Sequence, residues 1–259
     1  GLLRNLMVRT SSTNDLMVLV QFYENDKKNI KLLMEHIKIS FPEITSLLYI
    51  VNQKANNTMY DQDVVCYNGE DYIMEEMDGL HFKIGAKSFF QTNSEQAKIL
   101  YRKTKELAQI TENDLVYDLY TGTGTIAQYV ATSAKKVVGI DSVEEGIKAA
   151  YENAERNNIK NCTFYTGDMK EIFTDEFIAK NGNPDVIITD PPRDGMHKKV
   201  VEQILKIGAK RIVYVSCNSA TQARDLALMD EKYKVTHIQP VDMFPQTHHV
   251  ENIVVMELR

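Results

Sequence analysis

One cysteine, Cys217, follows Ser216 at the end of the run Ile-Val-Tyr-Val at 212–215, which is typical of a buried strand. Polar Asn218 and Ser219 come next, so the thiol is expected where the strand ends. A cysteine thiolate at such a position could act as a nucleophile. Free cysteine is also common as a small buried hydrophobe. A catalytic role therefore depends on which other groups reach the same edge of the sheet.

A glycine loop is the second candidate for chemistry. The stretch DLYTGTGTIA at 118–127 ends one predicted strand and begins a helix. Gly122 and Gly124 permit a tight turn and a close approach of backbone to a ligand at the helix N-terminus. Asp141, at the tip of the next predicted strand, could bind a ribose diol. The series indicates a cofactor with a nucleoside part, and G-x-G-x-x-A also fits a nicotinamide dinucleotide, so both remain open at this point.

An acidic loop with two prolines ends a later predicted strand, as Asp190-Pro-Pro-Arg193. Proline fixes φ and lacks an N–H donor, so this loop has a set shape that aims Asp190 and Arg193. In a doubly wound sheet it lies beside the glycine loop. Asp168, which follows another predicted strand, is interpreted as a contact for the base edge of an adenine, and Cys162 as part of the core.

Strand and helix patterns alternate through the second part of the chain. The predicted strands are 115–119, 136–140, 162–166, 186–189 and 211–215. Such alternation predicts an α/β fold with a doubly wound, Rossmann-like parallel sheet. Two further β runs, 234–240 and 252–258, have no helix between them and predict an antiparallel hairpin at one edge.

The first ninety or so residues predict a small α+β domain. Its expected elements are a hairpin at 2–9 and 16–23, a helix at 27–39, and strands at 46–52, 63–67 and about 80–84. A helix at 94–110 begins the second part, with Asn93 and Gln96 spaced as a capping box. We therefore divide the chain into domains 1–92 and 93–259.

Composition excludes several classes of protein. The 259 residues are 43% hydrophobic and 25% charged, an ordinary balance for a soluble globular protein, and no apolar stretch is long enough to span a bilayer. The three cysteines lie far apart without a CxxC pair, which favours neither disulfides nor a zinc ribbon and suggests a cytoplasmic location. The group His248, His249 and Glu251 is too small to predict a metal site. A net charge of −6 leaves room for a local basic groove.

Five motifs in one order resemble the RNA (uracil-5-)-methyltransferases. They are FFQTN at 89–93, DLYTGTGT at 118–125, DPPR at 190–193, SCN at 216–218 and HVE at 249–251. The resemblance covers nearly the whole chain. It implies a class I methyltransferase sheet that uses S-adenosylmethionine in 93–259, and a central domain in 1–92 that contacts RNA.

The same resemblance implies roles for individual residues. Those implied to line the methyl-donor pocket are Gln91, Tyr120, Thr125, Asp141, Asp168 and Asp190, beside Gly122 and Gly124 of the loop. Cys217 is the implied nucleophile, and Glu251, expected just before the last strand, the base. Uracil carbon 5 is a poor nucleophile until a thiolate adds to carbon 6, and its proton must then be removed, so this chemistry needs one cysteine, one base and no metal. Asp190 is also expected at the uracil edge, and Arg193 or backbone N–H groups are expected to lower the pKa of the Cys217 thiol.

Two positions depart from the family pattern. Thr121 replaces the usual cysteine, and Asp141 is shorter than the glutamate that relatives often carry. Many members have an N-terminal RNA-binding barrel and some an iron–sulfur segment; this sequence is expected to begin after both.

Several functions remain open from the sequence. The opening residues 3–10 resemble the segment after the cluster region of the ribosomal RNA enzymes, so 23S ribosomal RNA is preferred over transfer RNA as the substrate. Other readings are an amino-group methyltransferase, because D-P-P can accept an exocyclic amine, and an RNA-binding factor without turnover. A nicotinamide-linked oxidoreductase is the least favoured.

Overall fold

The computed structural model describes residues 1–59, 61–247 and 249–259. This part of the chain divides into two compact units, Gly1–Phe90 and Gln91–Arg259. Among the described residues, no helix is both long and apolar enough to cross a bilayer.

The first unit contains one helix on a four-stranded sheet and a separate two-stranded sheet. Its elements are β1 (Leu3–Thr10), β2 (Leu16–Phe22), α1 (Lys27–Ser40), β3 (Ser46–Val51), β4 (Val65–Gly69), β5 (Tyr72–Met77) and β6 (Leu80–Gly85). The larger sheet has the order β1-β2-β3-β4, and β5 pairs with β6. Alternate residues of β2 serve two cores: Val18 and Val20 pack with Ile30 and Met34 of α1, whereas Leu19 belongs to the other. Period-two alternation in β2 therefore covers both faces of this sheet.

Strand β5 is an element that the sequence pattern did not predict. The acidic pair Glu75 and Glu76 interrupts its apolar alternation, which hides the strand. Glu75 is nevertheless buried, at 1% exposure, and its carboxylate accepts the backbone N–H of Ser12 at 3.1 Å. The turn between β1 and β2 thus supplies a hydrogen bond to a buried acidic side chain, a residue type that strands disfavour.

The second unit is a seven-stranded mixed sheet with helices around it. Its elements are α2 (Ser94–Ala108), β7 (Leu115–Leu119), α3 (Thr125–Ala131), β8 (Lys136–Asp141), α4 (Glu144–Arg156), β9 (Cys162–Thr166), α5 (Met169–Ile172), α6 (Asp175–Asn181), β10 (Val186–Thr189), α7 (Lys198–Ile207), β11 (Arg211–Ser216), α8 (Ser219–Met229), β12 (Tyr233–Asp242) and β13 (Val250–Leu258). The strand order is β12-β13-β11-β10-β7-β8-β9. Strands β7 to β11 are parallel, and β13 runs antiparallel to β11 and β12. The predicted doubly wound α/β fold with an antiparallel hairpin at its edge is confirmed.

The hairpin differs from the prediction in one respect that matters for the site. Strand β13 starts at Val250, not at residue 252, and it pairs with β12 from that residue onward. Glu251 therefore lies inside the last strand and not before it. The ladder to β12 extends the strand by Val250 and Glu251, a pair that the apolar pattern of 252–258 did not include.

Candidate active site

The carboxyl ends of the parallel strands meet at one edge of the sheet. The predicted site residues at or just after those ends are Tyr120, Asp141, Asp168, Asp190 and Cys217. From β7 the chain winds through β8 and β9 to one side, and β10 and β11 lie on the other. Strand order thus reverses between β7 and β10, which is where open α/β sheets form a ligand crevice.

The loop between β7 and α3 is held in an unusual backbone conformation. Tyr120, Gly122 and Gly124 have φ values of 64, 55 and 76°, all in the left-handed region. A non-glycine residue there stores strain, which commonly marks a ligand-binding segment. The loop is closed by Thr121, whose N–H donates to Ile140 O at 3.0 Å. The glycines predicted to shape a tight turn do so.

The two glycines of this loop predict different costs of substitution. A Cβ on Gly124 would lie 2.9 Å from Ala150 Cβ and 3.0 Å from Phe164, whereas one on Gly122 would meet nothing within 4 Å. Gly122→Ala should therefore cost only the left-handed penalty, about 1 kcal/mol, and Gly124→Ala an additional ~1–3 kcal/mol of overpacking. Urea denaturation followed by far-UV circular dichroism measures both; equal losses of stability would contradict the packing at Gly124.

Asp118 is a candidate site residue that the sequence reasoning missed. It lies in β7 with 1% exposure, and its Oδ2 accepts the Thr121 hydroxyl at 2.5 Å and the Ala127 N–H at 3.0 Å. Its Oδ1 is buried without a hydrogen-bond partner among the described residues. Burial raises the pKa of Asp118 to about 7. A charged residue inside the apolar strand Leu115–Leu119 was the available signal.

Asp141 shapes the glycine loop from the neighbouring strand. Its two carboxylate oxygens accept the N–H groups of Gly122 at 2.9 Å and Val143 at 2.8 Å. A carboxylate has about four acceptor positions, so capacity remains for two hydroxyls of a diol. The predicted ribose contact stays a prediction.

The other predicted pocket residues differ in their surroundings. Asp168 is exposed at the start of α5, where it accepts the Lys170 N–H at 3.2 Å and pairs with the Lys170 ammonium at 3.0 Å. These contacts hold the pKa of Asp168 below its usual value. Thr125 is buried at the start of α3, 3.2 Å from the Thr123 hydroxyl, and half-buried Gln91 precedes α2.

Asp190 extends the ladder between the two central strands. Its N–H donates to Leu119 O at 3.3 Å, directly beyond the last paired residues of β7 and β10. Burial raises the pKa of Asp190 well above its ordinary value, and the negative charges of Glu251 and Asp118 act in the same direction. A carboxyl group here is therefore favoured in its protonated form.

The antiparallel register of β11 and β13 brings Cys217 and Glu251 together. The last pair of this ladder is Ser216 with Asn252, so Cys217 and Glu251 are the next two positions in the same register. One position beyond the last pair of an antiparallel ladder, the two chains are still close together. The predicted nucleophile and base, 34 positions apart in the chain, are thus neighbours at the carboxyl edge.

Electrostatics at this pair differ from the expectation. The Cys217 thiol is exposed to solvent, yet partial burial, Glu251 and Asp190 together raise its pKa. Interaction with Arg193 lowers the pKa of the thiol, as expected, but is outweighed. Burial also raises the pKa of Glu251 against the opposing charge of Arg193, and Glu251 Oε2 is buried without a hydrogen-bond partner among the described residues. An orphaned carboxylate oxygen beside an accessible thiol is a candidate proton acceptor.

The Cys162 thiol differs from Cys217 in its surroundings. Burial raises the pKa of Cys162 to about 12, consistent with its interpretation as a core residue. Within the described ranges, no three His, Cys, Asp or Glu side chains are placed to hold a metal ion. His248 of the proposed group lies outside the described residues.

Comparisons with known sequences give consistent matches. A family model described as tRNA (Uracil-5-)-methyltransferase matches residues 23–259. A protein of Bacteroides thetaiotaomicron named "Uncharacterized RNA methyltransferase" is 60% identical over 262 residues, which is 100% of this chain and 58% of that protein. A protein of the same name from Porphyromonas gingivalis is 56% identical over 258 residues, 99% of this chain and 56% of that protein. The chain thus spans a little over half the length of these relatives.

Similarity to solved structures extends over nearly the whole chain, and one example shares substantial sequence identity. It is the Pyrococcus abyssi tRNA (uracil-54, C5)-methyltransferase in complex with S-adenosyl-L-homocysteine, with a TM-score of 0.83 and 32% sequence identity. The match covers 99% of this chain and 60% of that chain.

Proposed function

The chain belongs to the tRNA (uracil-5-)-methyltransferase family, and on that premise we propose that it transfers a methyl group from S-adenosylmethionine to carbon 5 of a uridine in RNA. Membership confirms the resemblance inferred from the five motifs. The observation that carries the proposal is the register of β11 and β13, which brings a thiol and an orphaned carboxylate together at the same edge of the sheet as the glycine loop.

The glycine loop suits S-adenosylmethionine better than a dinucleotide. Asp118 already accepts the Ala127 N–H in the first turn of α3. A pyrophosphate requires such N–H groups and would be repelled by this carboxylate. S-adenosylmethionine has no phosphate and carries a sulfonium and an ammonium, whose positive charge favours the ionised form of Asp118. Asp141 remains the candidate for the ribose diol, and Gln91, Tyr120, Thr125 and Asp168 for further contacts.

This preference gives a binding prediction. S-adenosylhomocysteine at about 100 times its Kd should raise the Tm by roughly 5–10 °C, whereas NAD at the same concentration should not. Asp141→Ala should reduce the shift because the diol loses its acceptor. Differential scanning fluorimetry measures both, and an equal shift with NAD would contradict the cofactor assignment.

Cys217 and Glu251 act one after the other in the proposed reaction. The Cys217 thiolate adds to carbon 6 of uracil, and the electrons of the carbon 5–carbon 6 double bond form an enolate. S-adenosylmethionine supplies the methyl group, which carbon 5 takes as S-adenosylhomocysteine leaves. Glu251 then removes the hydrogen on carbon 5 as a proton. The released electron pair restores the double bond and expels the Cys217 thiolate. Once Glu251 has passed its proton to solvent, both groups are again in their starting forms.

Asp190 is suited to holding the uracil edge during these steps. Its raised pKa favours the protonated carboxyl, which has one donor and one acceptor. That pairing is complementary to O4 and the N3–H of uracil. A donor at O4 also stabilises the enolate oxygen as charge develops there.

The rate should depend on pH in a defined direction. Cys217 and Glu251 both act deprotonated, and the pKa of each is raised. We therefore expect kcat/KM to rise with pH through neutrality and to level off only near or above the ordinary thiol pKa of about 8.5. A pH–rate profile measures this; a flat profile from about pH 6 to about pH 9 would contradict the assignment of these two groups.

Ribosomal RNA is the substrate that the opening residues 3–10 favour, with the first unit as an RNA-contacting domain. Transfer RNA is the second candidate, because the family model and the Pyrococcus abyssi enzyme both carry that substrate in their names. The test is nucleoside mass spectrometry after incubating the chain with S-adenosylmethionine and either 23S ribosomal RNA or transfer RNA. New 5-methyluridine in one substrate identifies it. N-methylated bases instead would favour the amino-group methyltransferase, and no methylation with intact RNA binding would favour the binding factor.

A further inference from the structure

Helix α8 holds the loop that carries Arg193. The Arg193 carbonyl oxygen lies 3.0 Å from Asn218 Nδ2 and 3.0 Å from the Thr221 hydroxyl. One step further, Arg224 Nη2 donates to Asp194 O at 2.8 Å. At the end of the loop, Asp225 Oδ2 accepts the backbone N–H of Met196 at 2.8 Å. Consecutive parts of one loop are therefore hydrogen-bonded to side chains from the N-cap and the first two turns of α8.

The loop depends on these contacts because it makes few of its own. Its two prolines have no N–H to donate, and its internal backbone bond runs from Gly195 N to Pro192 O at 2.8 Å. Gly195 has a φ of 76°, and a Cβ there would lie 2.6 Å from Asp225 Oδ2. The loop is thus pressed against α8, and the missing side chain permits the contact.

Asp225, which binds the loop from α8, is itself held in place by other contacts. Asp225 is 0% exposed, and its Oδ2 also accepts the Tyr214 hydroxyl at 2.8 Å from within β11. Its Oδ1 accepts two bonds from Arg224, at 2.9 and 2.7 Å. A fully buried and fully paired carboxylate is a rigid support, since each lost partner would leave a desolvated charge.

Arg193, whose backbone these contacts hold, is the cation near the proposed nucleophile Cys217. The charged groups around the Cys217 thiol are Glu251 from β13 and Asp190 and Arg193 from the loop after β10. Arg193 alone among these three opposes the two carboxylates. Because its side chain is exposed, its position relative to the thiol depends on where its backbone is held.

We infer that Thr221 is a positioning residue: its hydroxyl fixes the backbone of Arg193 and thereby keeps the guanidinium beside Cys217. Thr221 Oγ1 also lies 3.1 Å from Asn218 O, so its single proton is shared between the two carbonyl groups. Thr221 is preferable to Asn218 as the test position, because Asn218 caps α8 and adjoins the cysteine. The inference depends on the proposed function for its catalytic meaning, since it assigns a partner to the proposed nucleophile.

The test measures alkylation of Cys217 by iodoacetamide as a function of pH, without RNA or cofactor. Peptide mass spectrometry separates Cys217 from Cys66 and Cys162, which act as internal references in each sample. Thr221→Val removes the hydroxyl at constant shape and should slow alkylation of Cys217 at pH 7 by about two- to fivefold, with the midpoint moved to higher pH. Thr221→Ser keeps the hydroxyl and should behave as the unsubstituted chain.

A double-mutant cycle with Arg193→Gln separates positioning from a structural effect. If Thr221 acts through Arg193, the double variant should alkylate like Arg193→Gln alone. Unchanged alkylation in Thr221→Val, additive effects in the double variant, or no effect of Arg193→Gln would each overturn the inference. Because the assay needs no methyl transfer, its result is separate from the proposed function: a chain that alkylates as expected but never forms 5-methyluridine would refute the function and leave the role of Thr221 intact.

Discussion

Cys217→Ala is expected to abolish methyl transfer, with a loss on the order of 10⁴-fold or more, because no other group can form the bond to carbon 6. With RNA that contains 5-fluorouridine, the unsubstituted chain should form a covalent complex that survives denaturation. Fluorine cannot be removed as a proton, so the cysteine cannot be expelled after the methyl group has been added. Cys217→Ala should form no such complex. Denaturing gel electrophoresis with labelled RNA, followed by peptide mapping of the adduct, measures both effects.

Cys66→Ala is the matched control for this prediction. Cys66 is also an exposed free thiol, but it lies in β4 of the first unit. Its replacement should leave both methyl transfer and the adduct unchanged. Full activity in Cys217→Ala would instead indicate methylation of an exocyclic amine, which requires no thiol. Loss of the adduct in Cys66→Ala, with the adduct retained in Cys217→Ala, would show that Cys66 is the nucleophile and Cys217 is not.

The shared edge that carries the candidate site residues was predictable because it follows from the strand ends. Cys217, Asp190 and Asp141 each follow or end an apolar run, and the carboxyl ends of parallel strands share one edge. The same rule placed the glycine loop beside the Asp190 loop. These predictions need only local patterns and one topological rule, and they do not require any distance between side chains.

Finer features required pairings that local patterns do not contain. The neighbouring positions of Cys217 and Glu251 depend on the exact register of β11 with β13, and the apolar pattern started β13 two residues late. Local patterns also did not reveal the buried acidic side chains Asp118 and Glu75. Each lies in a strand and accepts a backbone N–H from another element or turn. The bond from Thr221 to Arg193 spans 28 positions, and no spacing rule predicts it. Register and long-range hydrogen bonds are properties of the folded chain.

Glu251→Gln should separate bond formation from release. Methyl transfer to carbon 5 does not need the base, but removal of the proton does, so the variant should complete one addition and then stop. We expect steady-state turnover to fall by about 10²- to 10⁴-fold, while a covalent complex accumulates even with ordinary uridine in the RNA. Mass spectrometry of the trapped complex should find the added methyl group together with the Cys217 linkage. An intermediate without the methyl group would place Glu251 in the earlier step.

The Tm of Glu251→Gln is the control for this prediction, because the Glu251 carboxylate is partly desolvated in the unsubstituted chain. Glu251 Oε2 is buried without a partner among the described residues, and burial raises the pKa of the group, so the folded state at neutral pH bears the cost of a poorly solvated charge. Glutamine removes that charge, and the Tm should therefore stay close to that of the unsubstituted chain while turnover is lost. Asp242→Asn changes an exposed carboxylate at the same end of the hairpin and should alter neither property. A large fall in Tm with Glu251→Gln would show that the carboxylate supports the fold, whereas retained Tm with a stalled adduct is the result expected of a group kept for proton transfer.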